Sequence, residues 1–341
     1  MKKRGTRFFI RQYNGLHFQH GGIGYIDIEN ILLAIGFHPV ELPFSADLQW
    51  RRKPSRIYAM IREVLTMPRG STVVFLYPVY ANLNLVLLKL LRFRNVRLVC
   101  ILADISGLKF GNHVLLRKEQ IFFRSIPSFV VHNAAMKNWL LRFHPQAQAS
   151  ELQFFDFPVI VPEVERSISG VIVFAGNLEK SGFLQKLGQP GSSLAGLHFH
   201  LYGPGLRPGI ETFPNVSYKG SFDPKQLPYN LEGSFGLIWD GDGLAEPEGD
   251  LGHYISLISQ HKLSLYILCG LPVIIHELTG CAPLVLSAGI GLVINDLQEL
   301  PEKIKALPKE SYDLMRFKMR PIAEVISRGG NLPRALAELG T

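Results

Sequence analysis

Two carboxylates one residue apart, Asp240 and Asp242, follow the apolar stretch FGLIW at 235–239. At a strand end such a pair can hold a divalent ion against phosphate oxygens. The stretch continues through Glu246, Glu248 and Asp250 among glycines and prolines, so a solvated acidic loop is the simpler account. Lys262, within Gln260-His261-Lys262-Leu263-Ser264, is the sole Lys or Arg between 226 and 302. A phosphate partner explains one cation in a long acidic and apolar stretch; an ordinary salt bridge is the competing account. Asp104 closes the apolar segment VRLVCILA and, at a strand end, could serve as the base that deprotonates an acceptor hydroxyl. It could equally be a helix N-cap or turn residue. His20-Gly21-Gly22-Ile23-Gly24 places small residues between a strand and a helix, where free amides can accept a phosphate; a plain tight turn fits as well. No Walker A pattern is present, and G-I-G-Y-I-D at 22–27 lacks the third glycine of a dinucleotide fingerprint. The histidines are scattered without metal-ligand spacing, and no Ser-His-Asp or Cys-His arrangement can be argued.

These residues need elements to hold them. Strand-like segments are expected at 7–12, 72–77, 96–102, 128–131 and 151–155, alternating with helices at 25–35, 55–66, 82–93, near 115–124 and at 133–143. After a proline-containing bridge at 156–169 the pattern restarts. Strands are expected at 170–175, 197–202, 216–219, 235–239, 272–275 and 291–294. Helices are expected at 179–187, 224–231, 253–269, 298–306 and 310–327, with a last piece at 331–339. Short apolar strands alternating with helices imply parallel sheets covered on both faces. Two such series imply an α/β protein of two Rossmann-like domains facing across a cleft. The expected division is 1–155, 156–310 and a C-terminal helical segment, 311–341, crossing back to the first domain. Ligands in such sheets bind beyond the carboxyl ends of the strands, where the residues above fall.

The 341 residues are 47% hydrophobic and 19% charged, enough to bury large cores and to exclude wholesale disorder. No apolar run reaches the ~20 residues of a spanning helix, and no secretory leader is evident. Cys100, Cys269 and Cys281 sit in apolar surroundings without a CxxC, which fits a reducing cytosol. The net charge of +8 is divided: residues 1–150 hold 21 Lys and Arg against 7 Asp and Glu, residues 151–341 hold 15 against 21. The basic half has three readings: solubilising charge, a face for an anionic membrane, or nucleic-acid binding. The last is the weakest, since no DNA- or RNA-reading motif accompanies the charge.

Several stretches together resemble one family: VVHNAAMKNWL (130–140), IVFAGNLEK (172–180), LYG (201–203), YKGSF (218–222), and GLIWDG followed by HKLSLYILCGLPVI (261–274). The chain resembles bacterial β-1,6-galactofuranosyltransferases and the related glucosyltransferase 3 of streptococcal adhesin glycosylation. The resemblance implies a GT-B fold, with the nucleotide sugar held mainly by the C-terminal domain and the acceptor by the N-terminal one. It implies no metal cofactor, which argues against a metal role for Asp240 and Asp242. By position, Asn177 and Lys180 would border the diphosphate or nucleotide, and Gly220 and Ser221 the base or ribose. His261, Lys262 and Leu263 would face the phosphates, and Gly21 and Gly22 would close over the donor. Relatives often carry His-Asp where this chain has Ala103-Asp104, which leaves His20 and Asp27 as alternative bases.

The expected function is transfer of a hexose, galactofuranose or else glucose, from a UDP-sugar donor to a glycan or lipid-linked glycan acceptor. The expected reaction is an inverting displacement in bacterial surface polysaccharide or glycoprotein synthesis. The expected place is the cytoplasm, at the inner face of an anionic membrane, with no nucleic acid partner; a homo-oligomer is left open. A non-catalytic nucleotide-binding accessory protein is the alternative.

Overall fold

The computed structural model describes residues 6–12, 23–41, 53–79, 82–188 and 193–341. Twelve strands in this range form two six-stranded sheets, and every strand pairing is parallel. The first sheet contains β1 (Arg7–Ile10), β2 (His38–Val40), β3 (Thr72–Tyr77), β4 (Arg97–Leu102), β5 (Ser128–Val131) and β6 (Gln148–Glu151), in the order β2-β1-β3-β4-β5-β6. The second contains β7 (Val171–Ala175), β8 (His198–Tyr202), β9 (Val216–Gly220), β10 (Phe235–Ile238), β11 (Val273–His276) and β12 (Gly291–Ile294), ordered β12-β11-β10-β7-β8-β9. Central strands such as β3 and β10 are buried on both faces, which is why they read as unbroken apolar runs.

Helices cover both faces of each sheet. On one face of the first sheet lie α2 (Lys53–Thr66), α3 (Asn82–Arg92), α5 (His113–Phe123) and α6 (Ala134–Phe143), packed through Met60, Leu88, Phe123 and Leu140. The other face carries α1 (Ile23–Ala34) through Ile28 and Leu32. A short α4 (Ser106–Lys109) precedes α5. In the second half, α7 (Gly249–Tyr254), α8 (His261–Leu268), α9 (Ala282–Ala288), α10 (Leu300–Lys305) and α11 (Lys309–Ser327) surround the sheet. Tyr266 of α8 ties the two middle strands from below: its hydroxyl accepts from Ala175 N at 2.9 Å and donates to Leu237 O at 3.2 Å.

The chain then returns to the first half. Asp156 in the bridge accepts from Asn331 N at 3.0 Å and Leu332 N at 2.8 Å, fixing the start of α12 (Asn331–Glu338). This helix buries Leu332, Ala335 and Leu336 against Phe9 and Ile28 of the first half.

Several expectations shift locally. The helix expected at 253–269 is two, α7 and α8, with residues 255–260 between them. The helix expected at 179–187 is two 3-10 turns, Leu178–Lys180 and Gly182–Lys186. The one expected at 224–231 is a single 3-10 turn, Leu227–Tyr229. The strand expected at 151–155 lies earlier, at β6, and β2, α4 and α9 form where the sequence pattern predicts no element.

Candidate active site

The order of the second sheet reverses between β7 and β10, since the chain runs outward through β8 and β9 and then resumes on the other side of β7. Such a switch point leaves a crevice beyond the strand ends. A cavity of about 290 Å³ occupies it, lined by Gly176, Asn177 and Lys180 after β7, Tyr202 and Gly203 at β8, Phe222 after β9, and Gln260, His261 and Lys262 where α8 begins. The turns after β7 and β8 meet closely here: a Cβ at Gly203 would lie 1.8 Å from Gly176 O, and Gly203 sits at φ +130°. Only glycine serves at that position.

Lys262 lies at the crevice itself. Its ammonium donates to Trp239 O at 3.0 Å, stands 3.4 Å from each Asp240 oxygen, and rests 4.4 Å over the Phe174 ring. Burial lowers its pKa, and Asp240 works against that shift. The salt bridge and the cavity position therefore coexist. Asp240 also accepts from Gln260 Nε2 at 2.5 Å. Asp242 points elsewhere, its carboxylate packed where a Cβ on Gly182 would lie only 1.9 Å away. The two carboxylates are thus engaged by different parts of the chain.

His261 joins the two halves. Its ring stacks on Phe155 with centroids 4.1 Å apart, and a Cβ at Gly24, in the first turn of α1, would lie 1.8 Å from Nε2. Burial, with His132 and Lys225 nearby, depresses its pKa to about 3, so the ring is neutral at physiological pH. Leu263 does not line the cavity: its side chain is in the core and its amide donates to Gln260 O at 3.0 Å. Gly220 ends β9 at φ +100°, Ser221 is exposed beside it, and Phe222 is the neighbour that reaches the cavity.

Asp104 follows β4, close to the junction but outside that cavity lining. It accepts from Tyr25 Oη at 2.8 Å, Lys109 Nζ at 2.9 Å and, from the second half, Tyr254 Oη at 3.0 Å. Tyr254 Oη in turn accepts from Ile105 N at 2.8 Å. Asp27 of α1 is buried and paired with Lys225 of the second half at 2.6 Å, while its other oxygen has no partner among the described residues. Burial raises the Asp27 pKa against the pull of Lys225. Buried His132 accepts from Ser259 N at 3.2 Å, and Asn133 Nδ2 donates to Ser259 Oγ at 3.2 Å. His20, Gly21 and Gly22 lie outside the described residues.

The structure thus brings together Asn177, Lys180, His261 and Lys262 around one cavity. Tyr25, Lys109, Tyr254 and Lys225 join the junction with no mark in the sequence, and Gln260 joins it from the marked segment 260–264. Gln260 stood two residues from Lys262; the others carried no local signal, because only the tertiary fold brings them to their partners.

A family model described as "Glucosyltransferase 3-like, N-terminal domain" matches residues 7–148, and one described as "Glucosyltransferase 3-like, C-terminal domain" matches residues 172–339. The chain belongs to the glucosyltransferase 3-like family. Among curated relatives of this family member, the β-1,6-galactofuranosyltransferase WbbI of Escherichia coli (strain K12) is 28% identical over 260 residues, 74% of this chain and 72% of that protein. Glucosyltransferase 3 of Streptococcus gordonii is 23% identical over 265 residues, 76% of each. The fold is that of sucrose-phosphate synthase from Thermosynechococcus elongatus (TM-score 0.63, 13% identity, 98% of this chain and 100% of that one). It is also that of Anabaena HepE, solved in complex with UDP-glucose (TM-score 0.61, 14% identity, 98% and 100%). The glucosyltransferase 3-like chain is a glycosyltransferase of GT-B type, related to galactofuranosyl- and glucosyltransferases.

Proposed function

We propose that the protein transfers a hexose from a UDP donor, galactofuranose first and glucose second, to a glycan or lipid-linked glycan. The observation that carries this reading is the cavity at the β7/β10 switch point, with Lys262 beside it and Lys180 on its rim. The nucleotide diphosphate would lie there, its charge met by Lys262 and Lys180 in a partly closed crevice where such interactions are strong. Neutral His261 would face the sugar and donate or accept one hydrogen bond. In the reaction the anomeric carbon–diphosphate oxygen bond breaks, the acceptor oxygen bonds to that carbon, and the acceptor proton leaves to a base. We expect inversion; a product with retained anomeric configuration by NMR would remove the need for that base.

In this reading Asp104 positions the two halves, because three donors already occupy its oxygens. The same observation favours a second reading, a nucleotide-binding accessory protein without turnover. No divalent ion is invoked. The basic N-terminal half would face an anionic membrane bearing the acceptor. Thermal shift in EDTA with UDP, UDP-glucose, UDP-galactose and UDP-galactofuranose tests the donor site. Stabilisation by UDP supports the cavity assignment, since a ligand at a hundredfold excess over its Kd raises stability by about 2.7 kcal/mol. Sugar transfer to an acceptor separates the enzyme from the accessory protein. A flat response to every nucleotide would leave only the fold.

A further inference from the structure

From one helical face of the N-terminal half we infer that the outer side of α2, α3 and α5 docks on an anionic phospholipid bilayer. This deepens the membrane-facing part of the reading above and rests on it. Residues 53–124 carry twelve Lys and Arg against three Asp and Glu. All three carboxylates are engaged. Glu63 pairs with Arg62 at 2.9 Å and Asp104 with Lys109 at 2.9 Å. Glu119 is buried and accepts from Tyr77 Oη, Ser106 N and Gly107 N at 3.1, 3.0 and 2.9 Å. Among the described residues, Lys89, Arg92, Arg117 and Lys118 have no carboxylate partner.

Large apolar side chains lie exposed between these cations. Ile57, Tyr58, Ile61 and Leu65 project from α2, which packs beside α3; Phe93, 88% exposed, follows α3; and Ile121 stands on α5. Between α3 and α5 opens a second cavity of about 770 Å³, lined by the exposed Lys89, Arg92, Phe93, Lys118 and Ile121 and by the hydrogen-bonded pair Tyr77 and Glu119. Exposed cations interleaved with exposed apolar side chains have the chemistry of the lipid interface: apolar groups toward the acyl chains, ammonium and guanidinium groups at the level of the phosphates. The charge complementarity is to the phosphate layer. Four aliphatic side chains, Ile57, Ile61, Leu65 and Ile121, share this face with Tyr58 and Phe93; a bilayer interface takes both kinds, whereas aliphatic side chains offer a nucleic-acid base no stacking platform.

Flotation of the full chain with vesicles tests this. Binding is expected to vesicles containing about a third phosphatidylglycerol, with far less to pure phosphatidylcholine, and to weaken as salt shortens the reach of the charges. Lys89→Glu/Arg92→Glu/Lys118→Glu should lower vesicle affinity by at least about a hundredfold. Phe93→Ser/Ile121→Ser alters only exposed side chains and should remove the binding that survives high salt. Equal wild-type binding to both vesicle types, no binding to either, wild-type vesicle binding by the charge variant, or preference for duplex DNA or for an acidic protein over vesicles would each overturn the proposal. UDP-induced thermal shift, measured without vesicles, should be unchanged in both variants. A wild-type chain that binds vesicles but ignores UDP would sink the donor assignment and leave this surface standing.

Discussion

At the scale of single residues, Lys262 concentrates the chemistry. Its ammonium is largely withdrawn from solvent, lies at the switch point, and among the described residues is balanced by Asp240, the Trp239 carbonyl and the face of Phe174. A charge-assisted hydrogen bond contributes about 1.5–3 kcal/mol. Lys262→Ala should therefore weaken UDP binding by roughly ten- to a hundredfold, as isothermal calorimetry would read, with the melting temperature little changed. UDP affinity equal to wild type would place the diphosphate elsewhere. Asp104 is predicted to behave differently. Removing a general base typically costs 10²–10⁴-fold in rate, whereas a positioning carboxylate replaced by an isosteric amide keeps its acceptor oxygen. Asp104→Asn should hold kcat within about tenfold of wild type, while Asp104→Ala strands two tyrosine hydroxyls and Lys109 and should destabilise by about 2–4 kcal/mol. A hundredfold loss of kcat in Asp104→Asn, with stability kept, would restore the base.

At the scale of elements, the start of α8 is wedged against the start of α1. The His261 ring has Phe155 on one face and Gly24 at its tip, so a methyl group on Gly24 has no room unless the ring moves. The ring is half-buried, and its stacking on Phe155 holds it against α1 at the edge of the cavity. Gly24→Ala should push the two halves apart, raise KM for the donor several-fold and leave the folding of each half intact, which small-angle scattering together with kinetics would show. An unchanged scattering profile and KM would mean that the wedge is not a constraint. Legibility in the sequence follows the same logic of local against distant causes. The strands β3 and β5 and the helix α11 were read to within a residue or so, because a doubly buried strand and an amphipathic helix each announce themselves in one stretch. The break at 255–260 carries no Gly or Pro and could not be read. The turns at 178–186 pack against a loop sixty residues away, Phe183 N donating to Gly241 O at 3.0 Å and Gly182 lying against Asp242. A place at the candidate cavity was legible where a residue type stood out against its neighbours, as Lys262 does; Tyr254 on Asp104 and Lys225 on Asp27 depend on the second half arriving.

For the whole molecule, the interface between the halves is built from buried polar pairs as well as apolar packing. His132 is held neutral at Ser259 N, burial taking its pKa down to about 4, and His261 is held neutral beside Phe155 at about 3. Both values lie below the ordinary 6.5, so between pH 6.5 and pH 4 the unfolded chain binds protons that the folded chain refuses. Stability from these two groups is fully present above about pH 6.5 and is lost as pH falls. Asp27 acts the other way: its raised pKa gives stability below about 3.8 that disappears as pH rises through the folded value. Between pH 7 and pH 5 the buried acids Asp27, Glu119 and Asp156 work against His132 and His261, and His200, also lowered by burial, works with them, so the two junction histidines are separated by substitution. Each should cost roughly 2 kcal/mol over that interval, seen as a fall in the urea midpoint. The loss should be cooperative across both halves, because His132 belongs to one and its partner Ser259 to the other. His132→Asn keeps an acceptor for Ser259 N but cannot be protonated in this range, and should recover roughly 2 kcal/mol of the stability lost at pH 5. A midpoint independent of pH between 7 and 5, or a His132→Asn variant as acid-sensitive as wild type, would show that the junction opens to solvent and that these rings protonate without breaking it.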